Sequence, residues 1–284
     1  MTLEQKTEKI KSLIQEMDSV LVAFSGGVDS TLVLSLAHEV LGKKALGVTA
    51  QSASVPDREM KASRQLAKEI GARHLVVKTE EMSNPNYRAN PANRCYHCKT
   101  ELYSNLKRVA QQENISYILN GTNTDDLGDY RPGLDSAREQ GVRSPLVEAQ
   151  FSKQEVRELS RMMKLSIWNK PAMACLSSRI PYGQPVTLEK LAMIEQAEDL
   201  NVAHEGLVMR SLASDHRPDE IEHAGIAEPV PPRAHDLELA EARAFQRDVH
   251  TPTSGRVGEL LPAIVEPVAI GIVPKQPSTH SLRD

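Results

Sequence analysis

Residues 19–30 read SVLVAFSGGVDS. Ser19–Phe24 is a short, nearly continuous apolar run, as expected of a strand covered on both faces of a parallel sheet. Ser25-Gly26-Gly27-Val28-Asp29-Ser30 follows at once, and a helical pattern then runs from Thr31 to about Val40, stopped by Gly42. Strand, glycine turn and helix in this order build an anion site. The two glycines let the backbone take positive φ and approach a ligand closely. The helix presents free N–H groups and the positive end of its dipole. Ser25, Ser30 and Thr31 add hydroxyl donors, so the segment suits a pyrophosphate. Asp29 does not suit a bare anion and makes sense beside a Mg²⁺ that bridges phosphates. A plain glycine turn before a capped helix is the alternative; the register of all three parts argues against it.

Working outward, the same alternation continues. Residues 3–17 place Leu3, Ile10, Leu13, Ile14 and Met17 on one helical face. Strands are predicted at Ala45–Thr49, His74–Lys78 and Tyr117–Leu119. Helices are predicted at Pro56–Ile70, Cys95–Gln112, Gln154–Met163 and Leu188–Leu200. Strands alternating with helices give an α/β fold, a parallel sheet with helices on both faces.

Composition bounds the rest. The 284 residues are 25% charged and 40% apolar, an ordinary globular balance for one or two domains. The net charge of −4 carries no basic excess that would suggest a nucleic-acid partner. No apolar run is long enough for a membrane span. MTLEQKTEKIKSLIQEM is charged and amphipathic rather than a signal peptide, so the expected location is the cytoplasm.

The average hides a seam near residue 200. Residues 201–284 hold 9 of the 17 prolines, 6 of the 9 histidines and one aromatic, Phe245; they carry −5 against +1 for residues 1–200. Runs such as Glu228-Pro229-Val230-Pro231-Pro232 continue neither a helix nor a central strand. The expectation is a domain over 1–200 and an atypical, irregular Pro/Arg/His-rich tail over 201–284. A frameshifted or truncated gene product, or a disordered extension, would have that character.

SGGVDS after an apolar strand resembles the PP-loop family of ATP pyrophosphatases and lacks the G-x-x-x-x-G-K-[ST] pattern of the other common phosphate loop. The resemblance implies an adenine nucleotide alpha-hydrolase-like fold and cleavage of ATP between its α and β phosphates, with AMP passed to a substrate oxygen. Three more segments narrow it: Asn93–Lys99 (NRCYHCK), Asn120–Leu134 (NGTNTDDLGDYRPGL) and Trp168–Gly183 (WNKPAMACLSSRIPYG). In this order they resemble the LarE-type sulfur transferases of nickel-pincer cofactor synthesis, over about residues 5–200. That family implies a pyridinium dicarboxylate mononucleotide as substrate, adenylylated by ATP and converted to a thiocarboxylate. A sulfide or other sulfur donor is implied as partner, and a homo-oligomer if the tail is native.

The chemistry suits the residues. Adenylylation turns a poor carboxylate leaving group into a good one, open to a sulfur nucleophile. Arg131 and Arg179 are candidates to grip the departing phosphate. Asp126 and Asp129 follow a predicted strand end, where open α/β sheets bind ligands, and are candidates for ribose, Mg²⁺ or substrate. A solvated turn with Asx caps is the plain reading of that acidic cluster.

Cys95, Cys98 and Cys175 are an odd number in a cytosolic-looking chain, which argues against disulfides. The family resemblance implies either sacrifice of a cysteine sulfur before Ser177-Ser178-Arg179, or three cysteines holding a [4Fe–4S] cluster with one open iron. The three-cysteine pattern points to the cluster, with Cys175 also a catalytic candidate. A zinc site on the same thiols is the competing metal reading. Competing functions are a PP-loop tRNA thiolase, an ammonia-using amide ligase and a non-catalytic ATP-binding remnant.

Overall fold

The computed structural model describes residues 1–128 and 131–214, with side chains as far as Asn201. In chain order the elements are α1 (Leu3–Gln15), β1 (Val20–Ala23), α2 (Val28–Leu41), β2 (Ala45–Gln51), α3 (Asp57–Ile70), β3 (Arg73–Lys78) and α4 (Pro85–Arg88). Then come α5 (Arg94–Gln112), β4 (Tyr117–Leu119), α6 (Pro132–Glu139), α7 (Pro145–Glu148), α8 (Lys153–Met162) and α9 (Leu188–Ser214). The four strands form a parallel sheet in the order β3-β2-β1-β4.

β1 shows why its sequence is apolar throughout. Val20 and Val22 enter one core with Ile10 and Ile14 of α1, Leu32 and Leu36 of α2, and Val156 and Leu159 of α8. Leu21, pointing the other way, enters a second core with Tyr103, Leu106, Val109 and Ala110 of α5 and Ala137 of α6. A strand walled by helices on both faces has no wet side on which to place polar residues. The expected doubly covered parallel sheet is the architecture observed.

Local signals set several ends. Thr2 and Gln5 form a capping box on α1, as Ser152 and Glu155 do on α8. Gly71 closes α3 in the left-handed conformation. α4, α6 and α7, which the periodicity did not reveal, each begin with proline.

Two boundaries differ from expectation by three residues or more. α2 starts at Val28 rather than Thr31, so Asp29, Ser30 and Thr31 lie in its first turn. α9 runs past Leu200 to Ser214. The tail expected over 201–284 falls, from residue 215, outside the described residues. No described helix is long and apolar enough to cross a membrane.

The chain leaves β1 toward β2 and later returns from β3 to the opposite side of β1, at β4. The carboxyl ends of β1 and β4 therefore flank a topological switch point, where open α/β sheets hold their ligands.

Candidate active site

The glycine turn sits at that switch point. Gly26 has φ of +74°, a conformation that side chains disfavour, and a Cβ there would come within 3.1 Å of Ser63 on α3. Ser25 Oγ lies 3.1 Å from Ser30 Oγ and accepts from the Gly27 N–H at 3.3 Å; Ser30 Oγ donates to the Gly27 carbonyl at 3.2 Å. These bonds hold the turn, while the first N–H groups of α2 are left without intrahelical partners. From the far side, Gly121 closes on the same turn, 2.7 Å from the Ser30 backbone nitrogen as measured from a Cβ built on it. Only glycine allows the β4 loop to approach α2 so nearly.

Thr31 departs from its expected role. It is fully buried, and its Oγ1 has no hydrogen-bond partner, so its hydroxyl belongs to the interior rather than to the phosphate face. The cause is the early start of α2, which turns Thr31 toward the core.

Asp29 is engaged on both oxygens. Asn123 Nδ2 donates to Oδ1 at 3.0 Å, and the Lys153 ammonium sits 2.5 Å from Oδ2. Lys153 opens α8 and its backbone N–H donates to Asp125 at 3.2 Å, so one residue ties the phosphate turn to the acidic loop. Neither Asn123 nor Lys153 was a candidate in the sequence, because nothing local links them to a residue 94 or 124 positions away. Asp126 accepts from the Asn123 N–H at 3.0 Å and pairs with Arg131 at 2.5 Å. Asp126 and Arg131 are thus brought to the site. Asp129 lies outside the described residues.

A cavity of about 290 Å³ opens at the carboxyl end of β2, lined by residues that include Ser52, Val55, Asp57 and Met60. Met60 stands one turn before Ser63, the residue against Gly26, so the cavity adjoins the phosphate turn. A cleft of about 370 Å³ separates the start of α5 from α6 and is lined by Tyr96, Pro132 and Arg138 among others.

The turn carrying Cys175 docks on the rim of the β2 cavity: the Leu176 N–H donates to the Ser54 carbonyl at 2.9 Å. Buried Arg94, at the start of α5, donates from Nη1 to the Ser177 carbonyl at 2.6 Å and to Asn90 Oδ1 at 2.7 Å. A small core of Tyr87, Leu176, Ile180, Val186 and Leu191 lies beneath. Burial pushes the Tyr87 hydroxyl up to about 12. Arg179 is half-exposed and paired with Glu198 at 3.0 Å; Arg58 also pairs with Glu198. Both candidate arginines are therefore paired with a carboxylate, Arg131 with Asp126 and Arg179 with Glu198.

Cys95 and Cys98 lie one turn apart at the start of α5, and Cys95 is exposed. Burial, the largest cause, pushes the half-buried Cys98 thiol up to about 12, with smaller contributions from the nearby Cys175 and Cys95. Among the described residues no group of three His, Cys, Asp or Glu side chains is gathered closely enough to hold a metal ion. The three cysteines are neighbours rather than a closed ligand set.

Comparison with known proteins places these features. Residues 2–108 match the family model described as NAD synthase. The chain is 50% identical over 196 residues to an uncharacterized protein of Synechocystis sp., covering 69% of this chain and 73% of that one. It is 37% identical over 198 residues to the pyridinium-3,5-bisthiocarboxylic acid mononucleotide synthase of Lactiplantibacillus plantarum, covering 69% and 72%. The NH3-dependent NAD synthetase of Campylobacter jejuni shares the fold, with a TM-score of 0.50 at 16% identity over 90% of this chain and 100% of that chain.

Proposed function

Because the chain belongs to the LarE-type family of ATP-using PP-loop enzymes, we propose that it adenylylates a carboxylate of a pyridinium dicarboxylate mononucleotide and converts it to a thiocarboxylate. In the first step a substrate carboxylate oxygen attacks the α phosphorus of ATP and pyrophosphate leaves. In the second a sulfur nucleophile attacks the acyl carbon and AMP leaves, carrying the old carboxylate oxygen. One observation supports this most. A single region holds the N-terminal turn of α2, the Asp29–Lys153 pair and, across the end of β2, the turn bearing Cys175.

The pyrophosphate portion of ATP suits the α2 cradle, which a Cβ at Gly121 would fill. The nucleoside suits the adjoining β2 cavity, where Val55 and Met60 offer apolar surface. Asp29 would hold Mg²⁺. Lys153 lies against that carboxylate, where its ammonium would also reach a phosphate oxygen. Arg131 and Arg179 would exchange Asp126 and Glu198 for substrate or phosphate groups, to which a guanidinium bonds equally well.

Sulfur handling falls to Cys95, Cys98 and Cys175. As a donor set they fit a [4Fe–4S] cluster in kind alone: three soft thiols, two of them one helical turn apart. These three would hold it, and when bound it would supply an iron without a protein ligand for an exogenous sulfide. Zinc would take the same thiols.

The test of this reading is ATP–pyrophosphate exchange by the full chain with Mg²⁺. Exchange that depends on the pyridinium dicarboxylate mononucleotide is expected. ATP binding without any exchange would leave only a nucleotide-binding protein and refute the proposal.

A further inference from the structure

Three buried hydroxyls in the Cys175 region have no part in the reaction described above. Tyr87, Ser54 and Ser177 are 1%, 3% and 1% exposed, so water does not compete for their hydrogen bonds. The Tyr87 hydroxyl has one proton and gives it to Ser177 Oγ at 3.2 Å. Ser54 Oγ, 2.5 Å from the same hydroxyl, must then be the donor to it. Ser177 Oγ, already accepting from Tyr87, is left with its own proton and lies 3.2 Å from Cys175 Sγ. The contacts run in line from Ser54 through Tyr87 and Ser177 to the sulfur, with Ser54 donating to Tyr87 and Tyr87 to Ser177, and with either the Ser177 hydroxyl or the Cys175 thiol donating at the last.

The backbone around it is equally fixed. Leu176 is bonded to the Ser54 carbonyl, Arg94 holds the Ser177 carbonyl, and Ser178 Oγ donates to the Cys175 carbonyl at 2.6 Å. A phenylalanine would fill the Tyr87 space without burying a hydroxyl, which costs free energy unless it is bonded. The hydroxyl at this position thus adds aim rather than volume.

We propose that Tyr87, acting through Ser177, is a positioning residue that fixes the sulfur of Cys175 for the sulfur-handling step. The inference rests on the proposed sulfur-transfer reading; it adds that the second step depends on a hydroxyl relay that the first does not need. Tyr87 touches neither substrate nor nucleotide in this role.

The test separates the two steps and includes a readout independent of turnover. Tyr87→Phe, Ser177→Ala and Ser177→Thr are compared with the wild-type full chain. Substrate-dependent ATP–pyrophosphate exchange reads the first step and thiocarboxylate formation reads the second. Iodoacetamide labelling of Cys175, taken as a ratio to exposed Cys95 in the same molecule, reads the aim of the sulfur directly. Tyr87→Phe and Ser177→Ala should keep exchange within about twofold and lower thiocarboxylate formation about tenfold, the worth of one hydrogen bond. Both should shift the labelling ratio severalfold, and Ser177→Thr, which keeps a hydroxyl, should restore it. The double variant should be no worse than the worse single one, because both cut one chain. An unchanged labelling ratio in Tyr87→Phe overturns the relay, as does equal loss of exchange and thiocarboxylate formation. Should the wild type exchange pyrophosphate but make no thiocarboxylate, the sulfur-transfer reading fails, and the labelling ratio still decides the relay.

Discussion

Replacing Gly121 by alanine tests the switch-point crevice most sharply. A Cβ at this position would stand 2.7 Å from the Ser30 nitrogen and 3.0 Å from both the Asp29 carbonyl carbon and Ser30 Cα. All three atoms are backbone, so no rotamer change relieves the contact. Reaching ordinary van der Waals separation requires the β4 loop and the first turn of α2 to part by roughly 0.7 Å, an overpacking whose cost is about 1–3 kcal/mol. For a folded part of this size that corresponds to a melting temperature lower by about 2–4 °C for each kcal/mol. The effect on chemistry should be larger, because the displaced atoms are the phosphate cradle itself. A misplacement approaching 1 Å near reacting groups costs on the order of 100-fold. Differential scanning calorimetry and ATP–pyrophosphate exchange are the two assays. The control is Gly128→Ala, since among the described residues a Cβ at Gly128 meets nothing within 4 Å; it should leave both quantities near wild type. Wild-type exchange by Gly121→Ala would show that ATP does not use the crevice between β1 and β4.

Three further outcomes follow from the same geometry. Lys153→Met removes the ammonium 2.5 Å from Asp29 and should raise the KM for ATP about tenfold, the worth of a charge-assisted bond. Because both partners are partly exposed, the melting temperature should hardly move; an unchanged KM would reduce Lys153 to a strut. His74 donates from Nε2 to Thr49 Oγ1 at 2.8 Å, since the Thr49 proton goes to the Phe24 carbonyl; burial, then the Arg64 charge, lowers its pKa from the ordinary 6.5. The unfolded chain then binds more protons at this position than the folded one below about pH 6.5. Stability from this site is complete above that pH and is lost as pH falls, so the melting temperature of His74→Gln should fall less on acidification than that of wild type. An equal fall in both would dismiss the site as a source of acid sensitivity. Anaerobic reconstitution with iron and sulfide should load wild type and fail in Cys98→Ser; colourless protein whose Cys175 has lost the mass of hydrogen sulfide would replace the cluster by a sacrificial cysteine.

What the sequence made legible follows from how far apart the deciding residues lie. β1 is apolar because both of its faces are covered, and α5 shows its buried stripe at Tyr103, Leu106 and Ala110. Such signals are local and survive in a single chain. α4, α6 and α7 are too short for a helical period to show, although the proline at the start of each was in plain sight. Thr31 looked like a phosphate donor by its place in the motif and is buried because α2 begins at Val28. Lys153, Asn123 and Tyr87 reach the site only through the sheet's return from β3 to β4 and the docking of later loops on α2 and β2. No spacing rule reaches across such connections, whereas the cysteines and Arg179 became candidates through motif resemblance, which carries long-range information that periodicity does not.

The central claim is one enzyme performing both adenylylation and sulfur transfer. Its most direct test supplies the full chain with ATP, Mg²⁺, sulfide and the pyridinium dicarboxylate mononucleotide, and measures pyrophosphate and the substrate's mass together. The account predicts pyrophosphate released in step with an oxygen-to-sulfur exchange at a carboxylate. Pyrophosphate release with a product that lacks sulfur, such as an amide, would contradict it.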